Sequence, residues 1–289
     1  MSQTVWTIRD ILQWAVRFFQ EKDIDSPRLT IEMLLCHVLQ CTRISLYMQF
    51  DKPLSVEELQ NIRAVVKRRV AHEPTQYIIG QTQFFDMMLD VNPAVLIPRP
   101  ETEELVVLCL DMIQRQYGAD AALTILDIGT GSGCIALALA RKYPSAQVFG
   151  IDISVQALHT ARANAERYRI ANVHFGQKDV LTEAFKRRYD VVISNPPYLP
   201  QQEMALVQPE LLCEPHEALT DAHDGLQFYR RFAEILPILL QSTEKGFGVF
   251  EIGHNQAQSI RDVFHGYGYM ALHKDFQGIE RFAEVRIKM

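Results

Sequence analysis

The sequence predicts an α/β protein: a doubly wound, Rossmann-like sheet domain behind a small N-terminal helical domain. Three observations carry this. From Glu101 onward, short apolar runs of strand character alternate with helix-periodic segments. The first run, Thr124–Ile128, passes into the loop Gly129-Thr130-Gly131-Ser132-Gly133 and then into Cys134–Arg141, which is apolar nearly all round and so reads as a buried helix. Residues 1 to about 80 instead carry apolar residues at helical spacing.

Within 1–80, Val5, Trp6, Ile8, Ile11, Leu12, Ala15, Val16 and Phe19 form one helical face. Ser26-Pro27 reads as an N-cap and first-turn pair for a second helix bearing Ile31, Leu34, Leu35, Val38 and Leu39. Ser55 with Glu58 makes a capping box ahead of Leu59, Ile62, Val65, Val66 and Val70, and Glu73-Pro74 ends that helix. Arg63, Lys67, Arg68 and Arg69 form a basic edge, either a solvated face or a docking surface.

Residues 81–97 read as a β-hairpin linker: Phe84-Phe85 and Met87-Met88-Leu89, then the turn-prone Asn92-Pro93, then Val95-Leu96-Ile97. Residues 98–289 make the sheet domain. A helix starts at Pro100, with Glu101, Glu103 and Glu104 at its positive dipole end. Strands are expected at 123–127, 147–151, 172–175, 189–194, 246–252 and 281–287.

Composition bounds the function. The chain has 289 residues, enough for two domains, with 48% hydrophobic and 22% charged residues. The net charge of −6 gives no global pull toward nucleic acid. No apolar run approaches the roughly 20 residues that span a bilayer. Arg9 and Asp10 within an amphipathic pattern argue against a signal peptide. Five cysteines, an odd number lying mostly in apolar stretches, suggest reduced thiols and a cytoplasmic location. No residue cluster has the spacing of a metal site.

Strand, glycine loop and buried helix form the nucleotide-binding opening of a doubly wound fold. The next strand ends at Asp152, where a carboxylate can accept hydrogen bonds from ribose hydroxyls. A dinucleotide fingerprint wants G-x-G-x-x-G with a pyrophosphate on the helix N-terminus. This loop is G-x-G-x-G, and Asp127 precedes it. A carboxylate there repels a pyrophosphate and suits the cationic methionine end of S-adenosylmethionine. The alternative for Asp127 and Asp152 is ordinary strand-end turn acids.

The most informative tetrapeptide is Asn195-Pro196-Pro197-Tyr198, which follows the apolar run Tyr189–Ser194. Each proline fixes its own φ and biases the residue before it toward extended geometry. Neither has an N–H. The stiff turn leaves the Asn195 amide and the Pro196 carbonyl available to accept two hydrogen bonds from a planar –NH₂ group. An enzyme that methylates an amide or exocyclic amino nitrogen needs that arrangement, with Tyr198 packed against the flat group. The plain alternative is a proline corner.

The chain resembles the HemK/PrmC family of peptide-chain release factor N5-glutamine methyltransferases. The match lies in Leu96-Ile97-Pro98-Arg99-Pro100-Glu101-Thr102-Glu103, the Asp127–Gly133 loop, Asp152, Asn195–Tyr198, Glu214-Pro215 with Ala218-Leu219, and Gly246 to Gly253. It covers essentially the whole chain. The Ile97–Glu103 segment is its most specific piece, whereas N-P-P-Y is shared with amino-methyltransferases generally. The resemblance implies a class I S-adenosylmethionine-dependent methyltransferase fold with its last strand inserted antiparallel. It implies a cofactor site of Asp127, Gly129, Thr130, Gly131, Ser132, Gly133, Asp152, Asp179, Val180 and Asn195, with Arg99 and Glu101–Glu103 also lining the methionine end. Val180 departs from the family, which often carries tryptophan after the acid.

The reading that follows is methyl transfer from S-adenosylmethionine to the glutamine amide of the Gly-Gly-Gln loop in class I release factors. Asn195, Pro196 and Tyr198 are the catalytic residues, and with Pro197 they form the substrate site. Residues 1–80 would bind the factor, and the enzyme would work as a monomer without direct nucleic acid or membrane contact. The rivals are a glutamine methyltransferase of a ribosomal protein, a DNA adenine-N6 methyltransferase, which would want a basic recognition region, and a cofactor-binding protein without catalysis.

Overall fold

A computed structural model describes residues 5–241 and 244–287. The first four residues of the expected helical segment lie outside the described residues. The chain divides into two compact units, one of residues 1–81 with 208–213, the other of residues 82–207 with 214–289.

The first unit holds α1 (Ile8–Gln20), α2 (Pro27–Leu39), α3 (Arg43–Met48), α4 (Val56–Val70) and α5 (Thr75–Ile79). Thr7 and Asp10 cap α1 reciprocally, and Ser55 and Glu58 do the same for α4. Ile8, Ile11, Leu12, Ala15 and Phe19 of α1 meet Ile31, Leu34 and Leu35 of α2 and Ile62, Val65 and Val66 of α4 in one core.

Three sequence expectations change here. Ser26 precedes α2 but makes no side-chain cap: its φ of 46° is left-handed, not the extended conformation that aims a cap oxygen at the first turn. The short helices α3 and α5, each about one turn, had no periodicity long enough to see. Arg69 does not belong to an exposed basic edge. Its side chain is buried and pairs with Glu210, leaving Arg63, Lys67 and Arg68 on the surface.

A two-stranded hairpin, β1 (Gln81–Phe84) and β2 (Met87–Asp90), follows, and all of it but Gln81 belongs to the second unit. Its turn lies at Phe85-Asp86, with Phe85 at φ 51°, and not at Asn92-Pro93. Val95–Ile97 forms no strand. Next come α6 (Pro100–Tyr117), β3 (Thr124–Ile128), α7 (Cys134–Lys142), β4 (Gln147–Asp152), α8 (Val155–Arg167), β5 (Val173–Gln177) and β6 (Val191–Ser194). Then follow α9 (His216–Leu219), α10 (Gln227–Leu239), β7 (Phe247–Glu251), α11 (Ala257–Val263), β8 (Tyr269–Lys274) and β9 (Glu280–Arg286).

The seven-stranded sheet has the order β5-β4-β3-β6-β7-β9-β8. Strands β3 to β7 are parallel, and β9 runs antiparallel between β7 and β8. Successive side chains of a strand point to opposite faces. Thus Val191 and Ile193 enter the core that includes α6 and α7, while Val192 enters the core that includes α10 and α11. The fold is that of a class I S-adenosylmethionine-dependent methyltransferase.

Candidate active site

Strand register builds the site. Ile128 at the end of β3 pairs with Ile151 on β4 and with Ser194 on β6. The residues that follow, Gly129, Asp152 and Asn195, therefore leave the sheet side by side at its carboxyl edge. The chain order reverses here: from β3 it runs outward to β4 and β5, then returns to β6 on the other side. Doubly wound sheets bind ligands in the crevice at such a switch point.

A cavity of about 330 Å³ occupies that crevice. Gly129, Gly131, Asp152, Asp179, Val180, Asn195, Pro196 and Pro197 line it. It falls in the roughly 300–1,000 Å³ range of small-molecule sites. Gly131, at φ 54°, turns the loop so that its N–H reaches Asp152 Oδ2 at 2.9 Å. Asp152 Oδ1 accepts the Ser154 N–H, also at 2.9 Å. The carboxylate is thus oriented through one bond to each oxygen. Burial nevertheless pushes its pKa upward.

Other site candidates stand behind the wall. Asp127 is fully buried: Oδ2 accepts the Thr130 hydroxyl at 2.6 Å, and Oδ1 has no hydrogen-bond partner among the described residues. Burial pushes its pKa up to about 7. Thr130 and Ser132 are also buried, and neither they nor Gly133 lines the cavity. Asp179 spends its oxygens on the Leu181 N–H and the Thr182 hydroxyl. Val180 contributes an apolar wall.

The Asn195 turn is held from behind by a chain of polar groups. Asn195 Nδ2 donates to Thr102 Oγ1 at 3.0 Å, and that hydroxyl donates to Glu251 Oε2 at 3.0 Å. Ser194 pairs with Phe250, so Asn195 and Glu251 lie level on adjacent strands. Burial pushes the Glu251 carboxyl up to about 7, with Thr102 and Arg281 opposing the shift. Tyr198 is half-buried and off the cavity wall, its hydroxyl 3.4 Å from Glu251 Oε1. Its carbonyl accepts from Gln256 Nε2 at 2.9 Å, and Gln256 Oε1 takes the Gly253 N–H. Asp221 folds the facing loop by accepting the N–H groups of His223, Gly225 and Gln227.

Arg99 and Glu101–Glu103 do not line the cavity. Arg99 pairs with Glu214, which also accepts the Ile97 N–H at 3.0 Å. Glu103 accepts the Phe85 N–H at 2.6 Å. Sequence reasoning missed Glu251, Gln256, Asp221 and the particular part of Thr102. A signal for Glu251 was present, since it is a carboxylate ending an otherwise apolar buried strand.

Comparisons with known proteins agree with this architecture. Residues 10–80 match the model of the PrmC N-terminal domain, and residues 107–239 match that of the methyltransferase small domain. The chain is 39% identical over 286 residues to the release factor glutamine methyltransferase of Geobacter sulfurreducens, covering 98% of both chains. It is 39% identical to that of Bacillus subtilis, covering 95% of this chain and 96% of the relative. Among solved structures, the hMettl16 catalytic domain aligns with a TM-score of 0.54 at 14% identity, over 78% of this chain and 82% of that one. A methyltransferase from Pyrococcus furiosus aligns at 0.50 and 16% identity, over 79% of this chain and 97% of that one. Those two show the fold alone. The near full-length identity shows more: this chain belongs to the release factor glutamine methyltransferase family.

Proposed function

We propose that the crevice binds S-adenosylmethionine and that the Asn195 turn presents to it the glutamine side chain of a release factor, in the factor's Gly-Gly-Gln loop. The observation that carries this reading is the β3–β6 register, which starts the glycine loop and the Asn195 turn side by side. The residues present suit the cofactor. Asp152 keeps lone pairs for ribose hydroxyls, Val180 offers an apolar face to the adenine, and the buried Asp127 places negative potential behind the loop. When bound, the cofactor supplies a methyl group on a cationic sulfur.

The chain's own residues supply orientation. An amide nitrogen is a poor nucleophile because its lone pair is shared with the carbonyl. The Asn195 Oδ1 and the Pro196 carbonyl accept the two N–H bonds and turn the lone pair toward the cofactor. As the N–C bond forms, the nitrogen becomes more positive and its hydrogen bonds to these acceptors strengthen, which stabilises the transition state selectively. The N–C bond would form as the methyl–sulfur bond breaks, with the bonding pair left on sulfur, and the nitrogen would then release one proton to solvent. Tyr198 supports the turn from below.

Residues 1–80 hold the factor, with Arg63, Lys67 and Arg68 as the candidate contact. The enzyme works as a cytoplasmic monomer without direct contact to nucleic acid. The acidic net charge and the odd number of cysteines support these points. The family assignment disfavours the ribosomal-protein and DNA-adenine alternatives. Mass spectrometry of unmodified release factor incubated with the enzyme and S-adenosylmethionine tests the reading. One added methyl group on the Gly-Gly-Gln glutamine is expected. Methylation elsewhere, or none, would overturn it.

A further inference from the structure

The Asn195 amide has two ends of similar shape and opposite chemistry. A substrate –NH₂ group needs the oxygen end. What decides the orientation lies behind the turn. Thr102 Oγ1 is 3.0 Å from Asn195 Nδ2 and 3.0 Å from Glu251 Oε2. A threonine hydroxyl has one proton to give. An ionised carboxylate only accepts, so that proton goes to Glu251. The Thr102 oxygen can then only accept, and it takes a proton from the Asn195 –NH₂. Oδ1 is left as the end that faces the cleft.

The arrangement is rigid. Thr102 is 2% exposed and Glu251 1% exposed. Thr102 lies in the first turn of α6, where its N–H donates to the Arg99 carbonyl at 3.1 Å. The Tyr229 hydroxyl holds the Glu251 backbone carbonyl at 2.7 Å. The Tyr198 hydroxyl, Arg281 and Glu101 are the other polar and charged groups acting on the Glu251 carboxyl.

We propose that Glu251, acting through Thr102, is the positioning pair that locks the Asn195 amide with its acceptor toward the substrate. The inference rests on the reading of Asn195 as the amide-holding group. Neither Thr102 nor Glu251 touches substrate. The lock depends on the charge of Glu251. A protonated Glu251 can donate to Thr102, whose own proton then turns to Asn195 and draws Oδ1 inward. The raised pKa, about 7, puts that reversal within reach of mild acid.

The test uses the full chain in single-turnover methylation of release factor, with factor and S-adenosylmethionine saturating. Thr102→Val keeps the side-chain shape and removes the hydroxyl. It should slow methyl transfer about tenfold, the worth of one neutral hydrogen bond, while calorimetric cofactor affinity stays unchanged. Thr102→Ser should restore most of the rate. The wild-type rate should fall as pH drops through about 7, and Thr102→Val should abolish that acid limb. Glu251→Gln should abolish it too, and serves if Thr102→Val folds poorly. Adding Thr102→Val to Asn195→Ala should cost nothing further.

A Thr102→Val enzyme as fast as wild type, an additive loss in the double variant, or an acid limb surviving in Glu251→Gln would overturn the positioning role. Wild-type rates in Asn195→Ala alone would instead overturn the underlying reading of the turn.

Discussion

The Gly131 N–H meets the Asp152 carboxylate at 2.9 Å, so the glycine loop and the tip of β4 form one interlocked edge. Asp152 does two jobs there. It fixes the loop that approaches the ligand, and it offers its remaining lone pairs to the cavity. Asp152→Ala should weaken S-adenosylmethionine binding roughly ten- to hundredfold, since hydrogen bonds to a charged group are worth about 1.5–3 kcal/mol. Calorimetric titration of the variant checks this. An unchanged affinity would remove Asp152 from the cofactor site.

Glu251 makes stability depend on pH in a definite direction. Its folded pKa, about 7, lies above the ordinary 4.5. The neutral form is therefore favoured in the fold. That contribution is fully present below pH 4.5 and is lost as pH rises through about 7. Glu251→Gln is permanently neutral and escapes the loss. Its melting temperature relative to wild type should therefore rise between pH 4.5 and 8. A constant difference across that range would mean that the carboxyl titrates normally. Asp127, also raised to about 7 by burial, should make the wild-type protein itself lose stability over the same interval.

Gly225 is required by the turn beside it. It has φ 78°, and a Cβ there would sit 2.3 Å from the Tyr198 carbonyl oxygen. Gly225→Ala thus combines a left-handed backbone with a clash against the Asn195–Tyr198 turn. We expect a loss of about 2 kcal/mol, or a melting temperature lower by roughly 4–8 °C. Methyl transfer should fall even at temperatures where the variant is folded, because the displaced atom belongs to the substrate turn. Full activity below the melting transition would show that the turn tolerates the shift.

Adjacent arginines on α4 should behave in opposite ways. Arg69 is 2% exposed and pairs with the half-buried Glu210, so Arg69→Glu would set a buried carboxylate against a second one and cost about 3–5 kcal/mol. Arg68 is exposed and pairs with Glu73 at 2.5 Å, a pair worth about 0–1 kcal/mol. Arg68→Glu, alone or with Lys67→Glu, should leave the melting curve nearly unchanged. If this edge docks the release factor, the same change raises KM for the factor at low salt and has less effect at high salt. An unchanged KM at low salt would leave the edge as a solvated face.

The parts of the fold legible in the sequence were those dictated locally. Apolar runs fixed the strands β3 to β7 within a few residues, and the glycine loop located the ligand edge. The strand β8 was missed because it is an edge strand with half-exposed residues and no clean alternation. The Asn195 turn was legible because prolines restrict the backbone whatever surrounds them. The Thr102–Glu251 support was not, since those residues lie 149 positions apart, one in the first turn of α6 and the other at the end of β7, and only the packing of that helix on the sheet brings them together. Arg69 was misread for a related reason: its partner, Glu210, is 141 positions away.

Asn195 itself admits the most discriminating pair of variants. Asn195→Ala removes one of two acceptors and leaves the Pro196 carbonyl. Loss of one preorganised contact of this kind costs about 10²–10³ in turnover. Asn195→Asp retains acceptor oxygens but gives up the –NH₂ that Thr102 receives. The two side chains have nearly the same shape, so this change isolates the donor and the charge. In the aspartate variant two carboxylates bid for one Thr102 proton, and like charges so close raise the affinity of the pair for a further proton. At pH 8 both should be ionised and mutually repelled, so the site should be distorted and slow. On acidification Glu251 takes a proton, donates to Thr102, and Thr102 donates to the new carboxylate, rebuilding the chain with acceptors still toward the cleft. The absolute rate of Asn195→Asp should therefore rise as pH falls from 8 to 6, whereas that of Asn195→Ala, which has no amide to lock, should stay flat. Single-turnover rates across that range decide the matter. An Asn195→Asp rate that is flat or falls on acidification would mean that the Thr102 proton is not shared between the two groups.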